Sequence, residues 1–330
     1  MKKRKVLLAA VICIFLGGII LSIGWVMGGR GIIFNSSSKD KLKLMGSAKE
    51  YSVYDMDYEA FRGVLIDVPD CDIYVGRSEN GKFGVDMRLT IYDDEDVEFY
   101  VTDEKDGQPG YLVIKNNSES SVLSFNFDFF SQNEQYIKLY IPDGSYDYIR
   151  AGSSDSSITF EDVSAKNEIG ADCKNGSITL KNVSADYVFA QTTNSTAVVE
   201  DVSAQRLRVE TTNGNILLKN AVADSVNVST SNGKVELDDV SGADAVVKTS
   251  NGQIVFDNVD FDNSIEAQTS NSSIKAAFAG RDSDYSYDLK TSNADISVDG
   301  DKLGTKYKGG SGQIDVKLKT SNGDITVKYN

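Results

Sequence analysis

The sequence predicts an all-β chain: a single-stack β-solenoid of the parallel β-helix kind, with about 19 residues per repeat. An irregular β N-terminal cap and one transmembrane helix precede it. Three observations carry this reading. A short turn signature recurs at a nearly constant interval, the residues between signatures alternate apolar and polar, and a basic N-terminus leads into a long uncharged run. Composition agrees, since Pro is scarce at 3 residues while β-branched residues and Gly, Asn and Asp abound, as a chain of strands and tight turns requires.

Taken in order, Lys2-Lys3-Arg4-Lys5 is a basic stub at residues 1–5. The run from Val6 to Met27 follows and carries no charge. At about 1.5 Å per helical residue this run spans the roughly 30 Å hydrocarbon core of a bilayer. The four cations hold the N-terminus in the cytoplasm and place the bulk of the chain outside a bacterial cell membrane, in single-pass topology. The run is too long for the apolar core of a cleaved signal peptide, and Val11-Ile12 before Cys13 does not suit a lipoprotein signal. Gly24 and Gly28 form one small-xxx-small pair through which a membrane-protein partner could pack. Residues 28–57, with the polar run Ser36-Ser37-Ser38-Lys39-Asp40, read as a linker.

Residues 58–150 read as the irregular β lead-in or cap. Its candidate strands are Val64–Val68, Asp72–Val75, Val85–Leu89, Tyr111–Ile114 and Tyr136–Ile141, with turns at Asn80-Gly81 and Asp106-Gly107. Phe125, Phe127, Phe129 and Phe130 make an aromatic cluster assigned to packing within the cap.

Residues 151–330 hold the repeats. The Asn of a Thr-Ser/Thr-Asn-Gly turn recurs as Asn175, Asn194, Asn213, Asn232, Asn251, Asn271, Asn293 and Asn322. The spacing is constant over the first four intervals, from Asn175 to Asn251, and then lengthens progressively toward Asn322. Asp155 fills the slot before Asn175. A second Asx follows at a fixed offset from each of the first six slots, at Asp162, Asn182, Asp201, Asn220, Asp239 and Asn258. Between the markers, pairs such as Ile178/Leu180, Ile216/Leu218, Leu207/Val209 and Val226/Val228 alternate with polar residues, so one face is buried and the other wet. Each repeat reads as two short strands and two turns that must stack on neighbours to bury their apolar face. Stacking brings the eight Asn residues into a structural turn ladder of side-chain hydrogen bonds, as in cross-β stacks. Gly after Asn is assigned the positive φ of a tight turn. The rhythm breaks at Gly309-Gly310-Ser311-Gly312, so 300–330 reads as the far end of the stack.

The chemistry-bearing residue types exclude more than they suggest. With no His, a conventional Ser-His-Asp triad is impossible and the commonest zinc ligand is missing. The formal charge is −15, and without the basic stub −15 − 4 = −19, which repels nucleic acid. Asp93-Asp94-Glu95-Asp96 lacks the spacing and Gly of a calcium loop, and no G-G-x-G-x-D repeat occurs, so calcium finds no motif. No catalytic, cofactor-binding or metal residue stands out. Cys173 and Cys71 share the phase of inward residues and read as buried free thiols.

The N-terminal anchor, the lead-in ending at Ile141-Pro142-Asp143 and the repeated Thr-Ser-Asn-Gly turns together resemble the bacterial putative-adhesin family of β-strand-repeat proteins, a domain of unknown function, over residues 58–330. The resemblance implies an envelope-associated β-solenoid and brings no catalytic residue. The expected function is a non-catalytic adhesin-like binding or scaffold module that meets a wall polymer, a surface protein or a host ligand. The alternatives are an accessory component of envelope-stress sensing and a polysaccharide-active enzyme. A charge at Val226 is expected to be strongly destabilising and a reversal at Lys234 mild, because their phases differ.

Overall fold

The structure is a computed structural model. It describes residues 32–35, 43–44, 48–56, 61–90, 97–101, 110–116, 122–125 and 135–330, with side chains at 61–89, 110–115 and 135–330. The stub 1–5, the run 6–27, Phe127, Phe129 and Phe130 lie outside the described residues, as does the acidic run at 93–96. Among the described residues no helix is long and apolar enough to cross a membrane, and one 3-10 turn, Asp282–Asp284, interrupts the strands. The chain divides into two units. The smaller includes an antiparallel sheet in which Ile32–Asn35 pairs with Lys43–Leu44 and with Val122–Phe125.

The larger unit is the solenoid. Its central coils are single strands of 14 or 15 residues, Ile178–Thr192, Ala197–Glu210, Ile216–Ser229, Val235–Lys248 and Ile254–Gln268, each parallel to the next. In the first of these, Ile178 and Leu180 point inward, then Val183 and Ala185, then Val188, Ala190 and Thr192. Two exposed residues in a row, Lys181-Asn182, separate the first pair from the second. Asp186 and the half-buried Tyr187 separate the second from the third. The coil therefore has three inward-facing sides, hereafter sides one, two and three. Registered pairing continues around it, from Leu180↔Val199 through Val183↔Val202 to Val188↔Leu207.

This corrects the reading of two strands and two turns. The second Asx is a corner inside one strand. Asp162, Asn182, Asp201, Asn220, Asp239 and Asn258 all have positive φ, between 49° and 57°. A left-handed residue inserts the extra step that breaks period-two alternation, and Asn and Asp tolerate that conformation better than other side chains do. The role given to Gly is also corrected. Gly176, Gly214, Gly233 and Gly252 are not among the positive-φ glycines. They allow close approach: a Cβ at Gly233 would stand 1.6 Å from the Gly214 carbonyl oxygen of the coil below.

Stacking order departs from chain order at both ends. On side three the succession is Leu112–Asn116, Gly63–Asp67, Tyr148–Ser153, Glu168–Cys173, and on side one Tyr136–Ile141, Asp72–Arg77, Ile158–Ser164. The coil at 63–77 is thus sandwiched between two later segments, and its Ile73 stacks on both Ile137 and Ile158. At the other end Ile314–Lys319 pairs with both Ile254–Gln268 and Tyr285–Lys290, while Ile325–Tyr329 pairs with both Ile274–Phe278 and Ile296–Val298. The chain leaves one rung empty, builds the rung beyond it, and crosses the end with the antiparallel strands Asp301–Gly304 and Lys306–Gly310. It then returns to fill the gap. The lengthened spacings from Asn271 to Asn293 and from Asn293 to Asn322 are the trace of that detour.

Candidate functional site

Two features of the solenoid position chemistry: its corners and the outward face of side three. At the turn corner, a buried Thr two residues before Asn is satisfied twice. Thr230 Oγ1 accepts from the Gly233 amide at 3.2 Å and donates to the Gly214 carbonyl at 3.1 Å, in the coil below. Thr211, Thr249 and Thr320 likewise accept from Gly214, Gly252 and Gly323. Cys173 holds the same slot. Its Sγ accepts from the Gly176 amide at 3.0 Å and donates to the Ser156 carbonyl at 3.1 Å, so a thiol stands in for the hydroxyl. Cys173 and Cys71 are both buried and unbridged. Burial, then the charges of Asp72 and Asp70, pushes the Cys71 thiol up to about 12. Burial also raises Cys173. Such thiols are inert rather than nucleophilic.

Outside each buried Thr runs the Asn row. Asn194 Nδ2 donates to Asn175 Oδ1 at 2.6 Å, and Asn213, Asn232, Asn251 and Asn271 each donate to the Asn below at 2.7 Å. Asn322 donates to Asn271 at 2.9 Å and Asn293 to Asn322 at 2.8 Å, in stacking order rather than chain order. At the other end Asn175 donates to Asp155, which lowers the Asp155 carboxyl. Beyond it, burial and then the hydrogen bond and charge of Asp155 raise the Asp70 carboxyl. Asp70 itself has φ 57°.

The second corner row alternates in charge: Asp162, Asn182, Asp201, Asn220, Asp239, Asn258. Asn182 donates to Asp162 and Asn258 to Asp239, each at 2.6 Å, and Asn220 to Asp201 at 2.5 Å. Alternation keeps carboxylates two rungs apart, about 9.6 Å, instead of one. The first row is a continuous ladder, and the second is joined in separate Asn–Asp pairs. Among the described residues, no group of three or more Cys, Asp or Glu side chains could hold a metal ion.

Sequence reasoning passed over the outward face of side three, where rings and guanidinium groups gather. Tyr187 and Phe189 stack with centroids 5.6 Å apart. Arg206, directly above Tyr187, lies 4.9 Å from its ring centre, and Arg208, above Phe189, pairs with Glu210 at 2.8 Å. Phe189 rests on Gly170, where a Cβ would meet the ring at 2.0 Å. Toward the N-terminal end, Arg150 lies over Tyr148 and donates to Glu168 at 2.7 Å, and Arg62 lies over Tyr111. The signal was present in Tyr187 and Phe189, two aromatics in the outward phase of one strand, one of them above a glycine. Such a platform can stack against a flat ligand face while guanidinium and carboxylate groups fix its polar edges.

A family model described as Toastrack DUF4097 matches residues 64–328. The chain belongs to this family. The Toastrack DUF4097 match spans both interleaved ends of the solenoid. Solved structures similar to this chain include a putative lipid binding protein from Parabacteroides distasonis, 15% identical, with TM-score 0.47, covering 85% of this chain and 97% of that one. A putative adhesin from Bacteroides fragilis is 15% identical with TM-score 0.36, covering 88% and 98%. A putative cell adhesion protein from Clostridium sporogenes is 12% identical with TM-score 0.21, covering 86% and 99%. No curated protein matches the chain.

Proposed function

We propose that this Toastrack DUF4097 protein is a membrane-anchored, non-catalytic binding module of the bacterial envelope, adhesin-like in role. Its contact surface is the aromatic–arginine platform on side three, and its ligand is an extended wall polymer. The observation that carries the reading is the stacked pair Tyr187–Phe189 with Arg206 over Tyr187, set on the outward face of a parallel sheet. Successive strands repeat the surface at about 4.8 Å, which suits a ligand that is itself extended. The uncharged run from Val6 to Met27 supports the anchor.

The test is binding of the full chain to fractionated envelope material, with and without calcium, while the same mixtures are assayed for released sugar or peptide. Saturable retention without release is the expected result. Tyr187→Ala and Arg206→Ala are expected to weaken retention at least about fivefold with unchanged melting temperature, since truncated aromatic and Arg contacts dominate interfaces. Release of product would make the chain an enzyme and overturn the proposal.

A further inference from the structure

We propose that two copies of this chain associate face to face across side three, their stacks antiparallel, about a twofold axis that runs between the faces along the strand Ile216–Ser229. The inference goes beyond the binding role above and rests on a different row of the same face, so the dimer covers the Tyr187–Phe189 platform and competes with the wall polymer for it. One outward row runs the length of side three, one residue per strand. From Ser229 toward the N-terminal end the row reads Glu210, Gln191, Asp172, Gly152, Asp67. In the other direction it reads Lys248, Gln268, Lys319, Lys290, Lys306. Over this span one half carries every acid and the other every base.

The two halves match position by position when the row is turned about Ser229. Glu210 meets the partner's Lys248, Gln191 the partner's Gln268, Asp172 the partner's Lys319 and Asp67 the partner's Lys306, while Gly152 leaves room for the partner's Lys290. A twofold interface repeats each contact, so every pair forms twice. Near the axis no like charges meet: Asn227 comes opposite its own copy, Arg208 opposite the partner's Val246 and Arg206 opposite the partner's Asp244. Lys115, one strand beyond Asp67, falls outside the matched span.

Within one copy the lysine half is uncompensated. Lys319, Lys290 and Lys306 occupy directly paired positions on adjacent strands, where like charges are destabilising. The neighbouring row is neutralised internally, with Lys317 on Glu266 at 3.4 Å and Lys308 on Asp288 at 3.1 Å. Among the described residues no ion pair engages Lys248, Lys290, Lys306 or Lys319. Lysine on a terminal strand also blocks edge pairing, which accounts for Lys306 but not for the three on interior strands. Glu210 is shared with Arg208 and Ser229 and keeps its outward position. Since each sheet twists, the match is closest at the axis, and Glu210 with Lys248 is the pair to test.

The experiment is sedimentation of the full chain in mild detergent over a range of concentrations. A concentration-dependent dimer is expected. Glu210→Lys and Lys248→Glu are each expected to weaken it about tenfold, because one reversal makes two repulsive contacts per dimer. The double variant is expected to restore it, since the swapped charges attract again. Ser229→Cys should oxidise to a disulfide-linked dimer, and Gln191→Cys should not, because it lies two rungs from the axis and its two copies stand about 19 Å apart. A chain that stays monomeric, a dimer indifferent to both reversals, or equal cross-linking at 191 and 229 would each overturn the proposal. So would a monomer whose retention of inorganic polyphosphate falls on Lys248→Glu and Lys290→Glu, which would assign the lysines to a free polyanion.

Discussion

Thr230 and Cys173 show how little freedom a corner residue has. Each is buried, each takes a proton donor from its own Gly and gives one to the coil below, and only a small side chain with one donor and one acceptor fits. Their inward phase could be read from spacing, but the two-sided bonding could not, because it depends on which carbonyl lies beneath. The same holds for Asp70. Its place at the foot of the Asn row is invisible in sequence, since Asp70 and Asp155 belong to distant parts of the chain. Burial and the neighbouring Asp155 carboxyl raise the Asp70 carboxyl above its ordinary value of 3.8. A raised acid binds its proton more tightly in the folded state, so stability falls as pH rises from about 3.8 through the folded value. Asp70→Asn removes that penalty, keeps a residue that tolerates positive φ, and supplies an amide donor to Asp155. It is expected to raise the melting temperature at pH 7 and to leave it unchanged at pH 3. A thermal melt at the two pH values checks this, and equal effects at both would refute it.

At the scale of the strand, alternation was legible because burial has a period of two and a solenoid strand shows one face to the core. Val226 is 1% exposed, whereas Lys234 stands outward beside Glu236. Val226→Asp is expected to lower stability by about 4 kcal/mol or more, through an unpaired charge in the stack. Lys234→Glu is expected to stay within about 1 kcal/mol, the scale of an exposed ion pair. Chemical denaturation of both variants separates them, and similar midpoints would refute the assignment of faces. The corners were harder to read. Asn182 and its equivalents look like turns, since Asx residues make turns elsewhere. Their actual role is one left-handed step inside a strand whose hydrogen bonds continue on either side. Distinguishing the two needs the partner strand.

For the solenoid as a whole, the order of coils matters more than their number. Ile314–Lys319 and Ile325–Tyr329 form an internal rung although they close the chain. A chain ending at residue 310 is therefore expected to lose protection over 285–310 as well, because the rung at 285–298 would have nothing to stack on. Coils 158–268 should stay protected. Hydrogen exchange measures both, and retained protection at 285–298 would show that the rungs stack in chain order.

The sequence by itself determined the class of fold, the repeat length and the inward phase, together with the rows of Asn and Thr. These follow from local periodicity, and every coil obeys the same steric rules. Only the tertiary structure decided which coils are neighbours, where the left-handed steps fall, and how outward residues from distant segments assemble into the side-three platform and its graded row of charges. The physical reason is that stacking energy depends on what lies about 4.8 Å above and below, and a rung filled from far along the chain satisfies that requirement as well as one filled from nearby.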